Sequence, residues 1–430
     1  MNISHPFEDV KEYFDNVLNK DKSSFKTSND EPTPIGCIQE ILDCIPREFW
    51  SKTDSRIIDP CCGNGNWHVV ALDLMRKYQS TQRTDNDRLS QLHFNDTNSI
   101  RLDNVKKVFQ GDIHRLNMEA RDFLTMTPIV LYDMIYANPP YAKIMDDGKR
   151  ASKNHTLIRD FLRKSIEMLN DGGYLVYLIP DNWMSSADRN DIPRILSQYQ
   201  FLHLNIHGAK RWFPKIGSSF TWFILQKAPP TFPMQVHNSY NNLNLKEEAD
   251  CIPCSYIPLI YNHVVQSILK KTVEAGVEKY KIETSSDLHK YTKRNLITTV
   301  LDNEHQHRLI HTPKQTVYAT RPHKFQNGYK VFISTTDRYA TFVDNCGMTQ
   351  SIAFIRCNSE FEAAGIQKIL MHPLYVFLNN ICRWGNFNNI RVLQRFPIPR
   401  SADDVYGSFH IPKKEQQYIE DIMLRMKWVR

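Results

Sequence analysis

Four consecutive residues, Asn138, Pro139, Pro140 and Tyr141, offer the most specific chemistry in this chain of 430 residues. The two prolines fix the backbone and have no N–H, so carbonyl oxygens here stay free to accept hydrogen bonds. The Asn138 side chain adds an acceptor, and the Tyr141 ring can stack on a flat base. An exocyclic amine such as that of adenine is a poor nucleophile, because its lone pair is delocalised into the ring. Acceptance of both amine hydrogens, by the Asn138 side chain and the Pro139 carbonyl, would localise that pair for attack on a sulfonium methyl group.

A second segment, DPCCGNGNW from Asp59 to Trp67, follows the apolar residues RII and precedes a helical pattern. Glycines let a backbone turn tightly and approach a ligand, and the start of a helix presents free N–H groups. The segment lacks the third glycine of a dinucleotide-binding loop, and Asp59 sits poorly against a pyrophosphate. A carboxylate here better suits an ammonium group, such as that in the methionine part of S-adenosylmethionine.

Acidic residues end the next two apolar stretches, Asp96 after HFN and Asp112 after VFQG. The first carboxylate can accept both hydroxyls of a ribose, and the second would meet the edge of an adenine ring. Each alone is more often a turn residue or a helix cap. Their place after successive strands favours a nucleoside-binding role.

These residues need elements that bring strand ends together. Between residues 37 and 227 short apolar stretches alternate with amphipathic ones, which predicts an α/β fold with a doubly wound sheet and ligands at the carboxyl ends of its strands. The last two predicted strands are joined without room for a helix, so one sheet edge is expected to be antiparallel. Strands are predicted at 55–58, 91–95, 107–109, 132–137, 174–179, 201–206 and 220–226, and helices at 35–45, 67–79, 154–169 and 413–429.

Composition excludes several classes of protein. Hydrophobic residues make up 41% of the chain and charged residues 23%, which is typical of a globular protein. No apolar run reaches the roughly 20 residues that span a bilayer, and the N-terminus lacks a signal-peptide pattern, so a cytoplasmic protein without a membrane partner is expected. The nine cysteines are odd in number and scattered, which indicates reduced thiols. Cys251 and Cys254 have half of a zinc-site spacing without a second pair, so no metal is expected.

Charge is distributed unevenly along the chain. Residues 1–250 carry 30 basic and 32 acidic side chains, whereas residues 251–430 carry 24 and 15. A composition break at 228–233, APPTFP, separates the two parts. The basic excess of the second part indicates either a polyanion partner or a solvated basic surface. Charge alone does not distinguish between these two interpretations.

Together these motifs resemble the gamma class of N6-adenine DNA methyltransferases, the TaqI-like modification enzymes, over roughly residues 30–228. Glu31-Pro32-Thr33-Pro34 resembles the N-terminal cofactor motif, the segment from Asp59 to Trp67 resembles motif I, and Asn138 to Tyr141 matches the catalytic tetrad. The resemblance implies a Rossmann-like class I methyltransferase with a mixed seven-stranded sheet. It implies that S-adenosylmethionine is held by Thr33, Pro34, Asp59, Pro60, Cys62, Gly63, Gly65, Asp96, Asp112 and Asn138. It also implies that Tyr141 and Phe213, or Trp212 in place of Phe213, sandwich a flipped adenine.

The domains expected are a catalytic domain at 1–230, an α+β target-recognition domain at 231–412 and a C-terminal helix at 413–430. Side chains of the second domain suited to bases or phosphates are Arg321, Lys324, Arg338, Arg383, Trp384, Asn386, Asn389 and Arg391. Double-stranded DNA is therefore the expected partner, with a separate restriction endonuclease as a candidate second one. RNA adenine or a protein glutamine remains the alternative substrate, because the same tetrad chemistry serves each.

Overall fold

The computed structural model describes residues 1–21, 23, 31–110, 116–141, 156–187, 190–240, 243–253, 255–336, 338–383 and 387–428. The chain divides into two compact units. Unit 1 comprises Met1–Asp181, Arg194–Ser239 and Lys246–Ile252, and unit 2 comprises Asn182–Pro193, Tyr240–Leu245 and Pro253–Arg430. The functional labels that the sequence suggests for 1–230, 231–412 and 413–430 stay predictions.

A mixed sheet organises unit 1. Its strands are β1 (Ile57–Asp59), β2 (Leu92–Asn95), β3 (Asn117–Glu119), β4 (Tyr132–Ala137), β5 (Leu169–Pro180), β6 (Gln200–Ile206), β7 (Phe220–Gln226), β8 (Met234–Asn238) and β9 (Leu245–Ala249). They lie in the order β3-β2-β1-β4-β5-β7-β6-β8-β9. Strands β1 to β5 are mutually parallel, and β7 runs antiparallel to both β5 and β6. The central strands are buried on both faces, which explains their continuous apolar sequence.

Helices cover this sheet and connect its strands. They are α1 (Phe7–Tyr13), α2 (Ile35–Leu42), α3 (Arg47–Trp50), α4 (Asn66–Tyr78), α5 (Asp85–Leu89), α6 (Ser99–Phe109), α7 (Thr156–Met168) and α8 (Ile192–Leu196). One continuous apolar core joins residues of α2, α4 and α6 to those of β1, β2 and β4. This core attaches the segments at the carboxyl ends of β1 and β4, residues 59–67 and 138–141, to the sheet.

The predicted α/β fold with a mixed sheet is confirmed, and the strands at 132–137 and 220–226 have the predicted bounds. Two predictions were wrong. Among the described residues the sheet has nine strands where seven were expected, because β8 pairs alongside β6 and β9 follows it at that edge. Residues 107–109 are not a strand but the end of α6, whose buried Val105, Val108 and Phe109 follow a helical spacing.

Unit 2 is built on two small sheets. The first, in the order β10-β17-β14-β15, consists of Glu283–Thr284, Ile352–Arg356, Lys330–Ser334 and Thr341–Asp344. The second, β11-β13-β12-β16, consists of Ile297–Thr298, Gln315–Ala319, His307–Thr312 and Gly347–Met348. Its helices are α9 (His263–Lys271), α10 (Glu360–Leu370), α11 (Pro373–Ile381), α12 (Ile390–Leu393), α13 (Val405–Ser408) and α14 (Lys413–Arg425).

The terminal helix α14 is anchored within unit 2 by polar contacts. Glu415 accepts hydrogen bonds from Ser267 Oγ and Lys271 Nζ of α9, each at 2.7 Å. Across the described ranges, no helix combines the length and hydropathy that a membrane crossing requires.

Candidate active site

A cleft lies at the carboxyl ends of β1 and β4. The strand order runs from β1 to β2 on one side and to β4 on the other, and such a reversal is where open α/β sheets bind ligands. The lining residues come from four segments of unit 1: Glu31, Pro32, Thr33, Asp59, Cys61, Cys62, Gly63, Asn64, Asn66, Trp67, Arg101 and Asn138.

The loop between β1 and α4 forms the floor of this cleft and depends on its glycines. Gly65 has φ 88° at the N-cap of α4, and a Cβ there would lie 2.7 Å from Cε2 of Phe109. Gly63 has φ 54°, and its N–H donates to Asp96 Oδ2 at 2.9 Å. Both positions therefore favour glycine for its backbone freedom, and Gly65 also because α6 packs closely against it.

Two carboxylates sit beneath the cleft. Asp59 is 1% exposed and accepts the Cys61 N–H at 3.0 Å. Burial raises the pKa of Asp59 well above its ordinary value, the Cys61 N–H opposes that shift, and the nearby Asp96 charge adds to it. A cationic group in the cleft would stabilise the ionised form of Asp59.

Asp96 braces the same loop. Besides the Gly63 N–H, its carboxylate accepts the Asn98 N–H at 2.8 Å, and the neighbouring Asn95 Nδ2 donates to the Pro60 carbonyl at 2.9 Å. Two loops at adjacent strand ends are thus held together by short polar contacts. Asp96 supports the floor of the cleft in this way.

Asn138 is oriented by a chain of hydrogen bonds. The Asn66 side chain at the start of α4 donates to the Thr33 carbonyl at 2.8 Å, and Thr33 Oγ1 accepts from Asn138 Nδ2 at 3.1 Å. The Asn138 Oδ1 accepts from the Tyr141 hydroxyl at 2.6 Å. Because the Asn138 amide nitrogen donates to the Thr33 hydroxyl, the Asn138 amide oxygen faces Tyr141.

Aromatic rings continue from Tyr141. Its ring centroid is 6.3 Å from that of Phe220 at the start of β7, and Phe220 is 4.7 Å from Phe213. Phe213 is buried at 3% exposure, whereas Trp212 donates from Nε1 to Glu40 at 3.1 Å and covers Gly36 on α2. Phe220 is thus a ring that sequence reasoning missed, and its position as the first residue of an apolar strand was the available signal.

The structure brings only part of the predicted cofactor set to the cleft. Thr33, Asp59, Cys62, Gly63 and Asn138 line it, whereas Pro34, Pro60, Gly65 and Asp96 lie in the supporting loops. Asp112 lies outside the described residues.

Arg101 is a lining residue that the sequence did not suggest. It comes from the first turn of α6, and its Nη1 lies 3.9 Å from where a Cβ on Gly63 would stand. Its placement just after Asp96, at the start of a helix, was the available signal. No three His, Cys, Asp or Glu side chains converge as a metal site in the part of the chain that the structure describes, and Cys254 lies outside that part.

The residues predicted to contact DNA fall in two places within unit 2. Arg321 and Lys324 follow β13, where Arg321 forms a two-point ion pair with Asp287 at 2.8 and 3.3 Å. Arg338 is exposed in the loop between β14 and β15, and that loop is joined to residues 387–388 through the Thr336–Phe387 bridge.

The segment after α11 holds the remaining predicted contacts. Arg383 and Arg391 are half-buried, and Asn389 is engaged structurally: its Oδ1 caps α12, and its Nδ2 donates to the Ser186 carbonyl at 2.9 Å. Trp384 and Asn386 lie outside the described residues. Asn389 is therefore occupied in holding two segments of unit 2 together.

Comparison with known proteins gives a consistent picture of the first unit. Residues 47–213 match the sequence model of the Eco57I restriction-modification methylase family. A Type II methyltransferase, M.VspI of Vibrio sp. (strain 343), is 25% identical over 182 residues, which cover 40% of this chain and 42% of that protein. The chain thus matches about two fifths of the length of the curated relatives.

Two solved structures resemble nearly the whole chain. One is a nuclease-deletion mutant of the Type ISP restriction-modification enzyme LlaGI in complex with a DNA substrate mimic. The alignment covers 96% of this chain and 56% of the LlaGI chain, with a TM-score of 0.54 and 13% identity. The other is the ATP-dependent Type ISP restriction-modification enzyme LlaBIII bound to DNA. Its alignment covers 98% of this chain and 39% of the LlaBIII chain, with a TM-score of 0.51 and 12% identity. At this identity the likeness concerns the fold.

Proposed function

We propose that this chain is a DNA adenine N6-methyltransferase of the restriction-modification type that uses S-adenosylmethionine. The observation that carries the proposal is the Thr33–Asn138–Tyr141 hydrogen-bond chain, at the edge of a cleft floored by a glycine loop and the buried Asp59. The match to a restriction-modification methylase family over residues 47–213 supports it independently.

The residues of the cleft fit S-adenosylmethionine. Asp59 is a buried carboxylate that a cationic amino group would stabilise in its ionised form, and Gly63 lets the backbone approach a ligand without a Cβ. Thr33, Cys62 and Asn138 also line the cleft and would contact the bound cofactor. When bound, S-adenosylmethionine supplies an electrophilic methyl group on its sulfonium.

The chain's own residues would prepare the nucleophile. Thr33 holds the Asn138 amide nitrogen, so Asn138 Oδ1 can exchange the Tyr141 hydroxyl for an amine hydrogen of the substrate. The Pro139 carbonyl, which belongs to a segment with no N–H at either proline, would accept the second hydrogen. Both contacts raise electron density on the amine nitrogen, and no covalent intermediate with the protein is needed.

Adenine in DNA is the substrate that best accounts for the whole chain. Cytosine N4 enzymes usually carry Ser or Asp where Asn138 stands, and a compact glutamine methyltransferase would not need the large basic part that follows residue 250. The target adenine would leave the duplex, with a loss of pairing and stacking of a few kcal/mol, and the partly buried Tyr141 ring would offer the compensating aromatic surface. Phe220 and Phe213 are buried and would support that ring from within unit 1.

The proposal is tested in living cells. The chain, and separately its Asn138→Ala variant, is expressed in a host free of adenine methylation, and the host DNA is sequenced by a long-read method that detects modified bases. Methylated adenine within one sequence context is expected for the wild type and none for the variant. Unmodified DNA, with methyl label recovered in RNA or protein, would overturn the DNA assignment.

A further inference from the structure

Tyr291 is an unusually exposed aromatic residue in unit 2. The residue is 68% exposed, and its ring lies edge-to-face with the rings of His289 and His311, with a centroid distance of 6.1 Å in each pair. An exposed tyrosine has few rotatable bonds, so little conformational entropy is lost when it binds a partner. The residue is suited to make contacts outside the chain.

Hydrogen bonds support the backbone on both sides of Tyr291. His289 Nδ1 accepts the N–H groups of Tyr291 and Thr292 at 3.3 and 3.4 Å. Leu288 is fully buried in an apolar cluster with residues of β12 and β13, and Lys293 Nζ donates to the Asp287 carbonyl at 2.7 Å. These contacts fix both ends of the segment 287–294, which is here called the Tyr291 loop.

The Tyr291 loop and a neighbouring segment are both rich in basic residues. Asp287 holds the Arg321 guanidinium through its carboxylate and also accepts the Lys324 N–H at 2.9 Å, so the segment 321–324 is tied to the Tyr291 loop. The Arg321 ion pair is the largest cause that lowers the pKa of Asp287 to about 2. The two segments contain Lys290, Lys293, Arg294, Arg321 and Lys324 against Asp287 as their one acid.

We propose that the Tyr291 loop and the segment 321–324 form a surface that binds the DNA substrate, with Tyr291 stacked on an unpaired or unstacked base. Arg294 and Lys324, which are both exposed, supply contacts to DNA phosphates. Stacking on an aromatic ring tolerates any base, and phosphate contacts carry no sequence information, so this surface supplies affinity and register. The inference rests on the proposed function, because it names where the DNA of that reaction is gripped.

The test measures the affinity of the full chain for a fluorescently labelled DNA duplex by anisotropy. Tyr291→Ala is expected to weaken binding about tenfold, since the stacking contact is lost, and Tyr291→Phe to retain it. The matched control is Phe361→Ala, which removes another exposed aromatic side chain that stands between two glutamates, and it should leave binding unchanged. Arg294→Gln should lower the salt dependence of the affinity by about one unit of slope, and Lys413→Gln should not.

Methyl transfer to the same duplex, measured in parallel, separates this inference from the proposed function. Duplex binding that depends on Tyr291 without any methyl transfer would overturn the proposed function and leave the binding surface standing. Duplex methylation with unchanged affinity in Tyr291→Ala would overturn the binding surface alone. Absence of duplex binding by the wild type would overturn both, and an equal loss in Phe361→Ala would show that Tyr291 has no special role.

Discussion

The Thr33 hydroxyl oxygen accepts a hydrogen bond of 3.1 Å from the Asn138 side-chain amide, across 105 positions of sequence. This contact fixes which end of the amide faces the substrate, because an amide has one donor end and one acceptor end. Thr33 thereby acts as a positioning residue for Asn138, and it also lines the cleft.

Thr33→Val removes the acceptor while it keeps the shape of the side chain. We expect kcat for methyl transfer to fall roughly tenfold, in line with one lost hydrogen bond, whereas Thr33→Ser retains most of it. Steady-state kinetics with both variants check this. Equal rates for the valine and serine variants would contradict the positioning role.

Gly65→Ala tests the packing of the loop that floors the cleft. The added Cβ would meet Phe109 at 2.7 Å on a backbone with φ 88°, so we expect the free energy of unfolding to fall by about 1–3 kcal/mol. Gly217→Ala is the control, because a Cβ there has nothing within 4 Å. Denaturant unfolding of the two variants should differ clearly, and a neutral Gly65→Ala would show that the loop tolerates a side chain.

Asp181 provides a pH-dependent prediction. It follows β5, its N–H donates to the Ser219 carbonyl at 3.2 Å, and its carboxylate lies 3.4 Å from His207 Nδ1. Burial raises the pKa of Asp181 to about 7, against a hydrogen bond from Ser219 and the charge of Lys210, which lower it. Burial also lowers the pKa of His207 to about 4, so this histidine is neutral at neutral pH.

A raised carboxyl pKa means that the native state holds a proton which the unfolded chain has released. Its contribution to stability is therefore complete below about pH 4 and is lost as the pH rises through about 7. Asp181→Asn mimics the protonated acid, so we expect it to match the wild-type melting temperature near pH 4 and to exceed it above about pH 8.

Asp171→Asn is the control for Asp181, because that side chain is 95% exposed. It should shift the melting temperature equally at the two pH values. A pH-independent difference between Asp181→Asn and the wild type would contradict the raised pKa.

Sequence patterns predicted those parts of the fold whose signal is local. The strand Tyr132–Ala137 is a continuous apolar run, and the glycine loop after β1 carries its own backbone requirement at Gly63 and Gly65. The strand β3, Asn117–Glu119, is short and only partly buried at a sheet edge, so its sequence NME gave no apolar signal. The strand predicted at 107–109 is wrong because three residues are too few to distinguish a strand from a helix, whereas Val105, Val108 and Phe109 together follow a helical spacing.

The candidate site was predictable in its residue types and not in its contacts. Asn138 and Tyr141 stand in one motif, but the residue that orients Asn138 is Thr33, and the Phe220 ring comes from β7, which lies two strands from β4 in the sheet. Such contacts join strand ends that are distant in sequence, so only the folded sheet reveals them. The same holds for Asp287, whose carboxylate joins the Tyr291 loop to the segment 321–324.

The most direct test of the central claim is the identity of the methylated base. The chain is incubated with DNA and S-adenosylmethionine that carries a deuterated methyl group, and the DNA is digested to nucleosides for mass spectrometry. We expect label in N6-methyl-2′-deoxyadenosine only, and its loss in Asn138→Ala. Label in N4-methyl-2′-deoxycytidine, or no label in any nucleoside of DNA, would contradict the account.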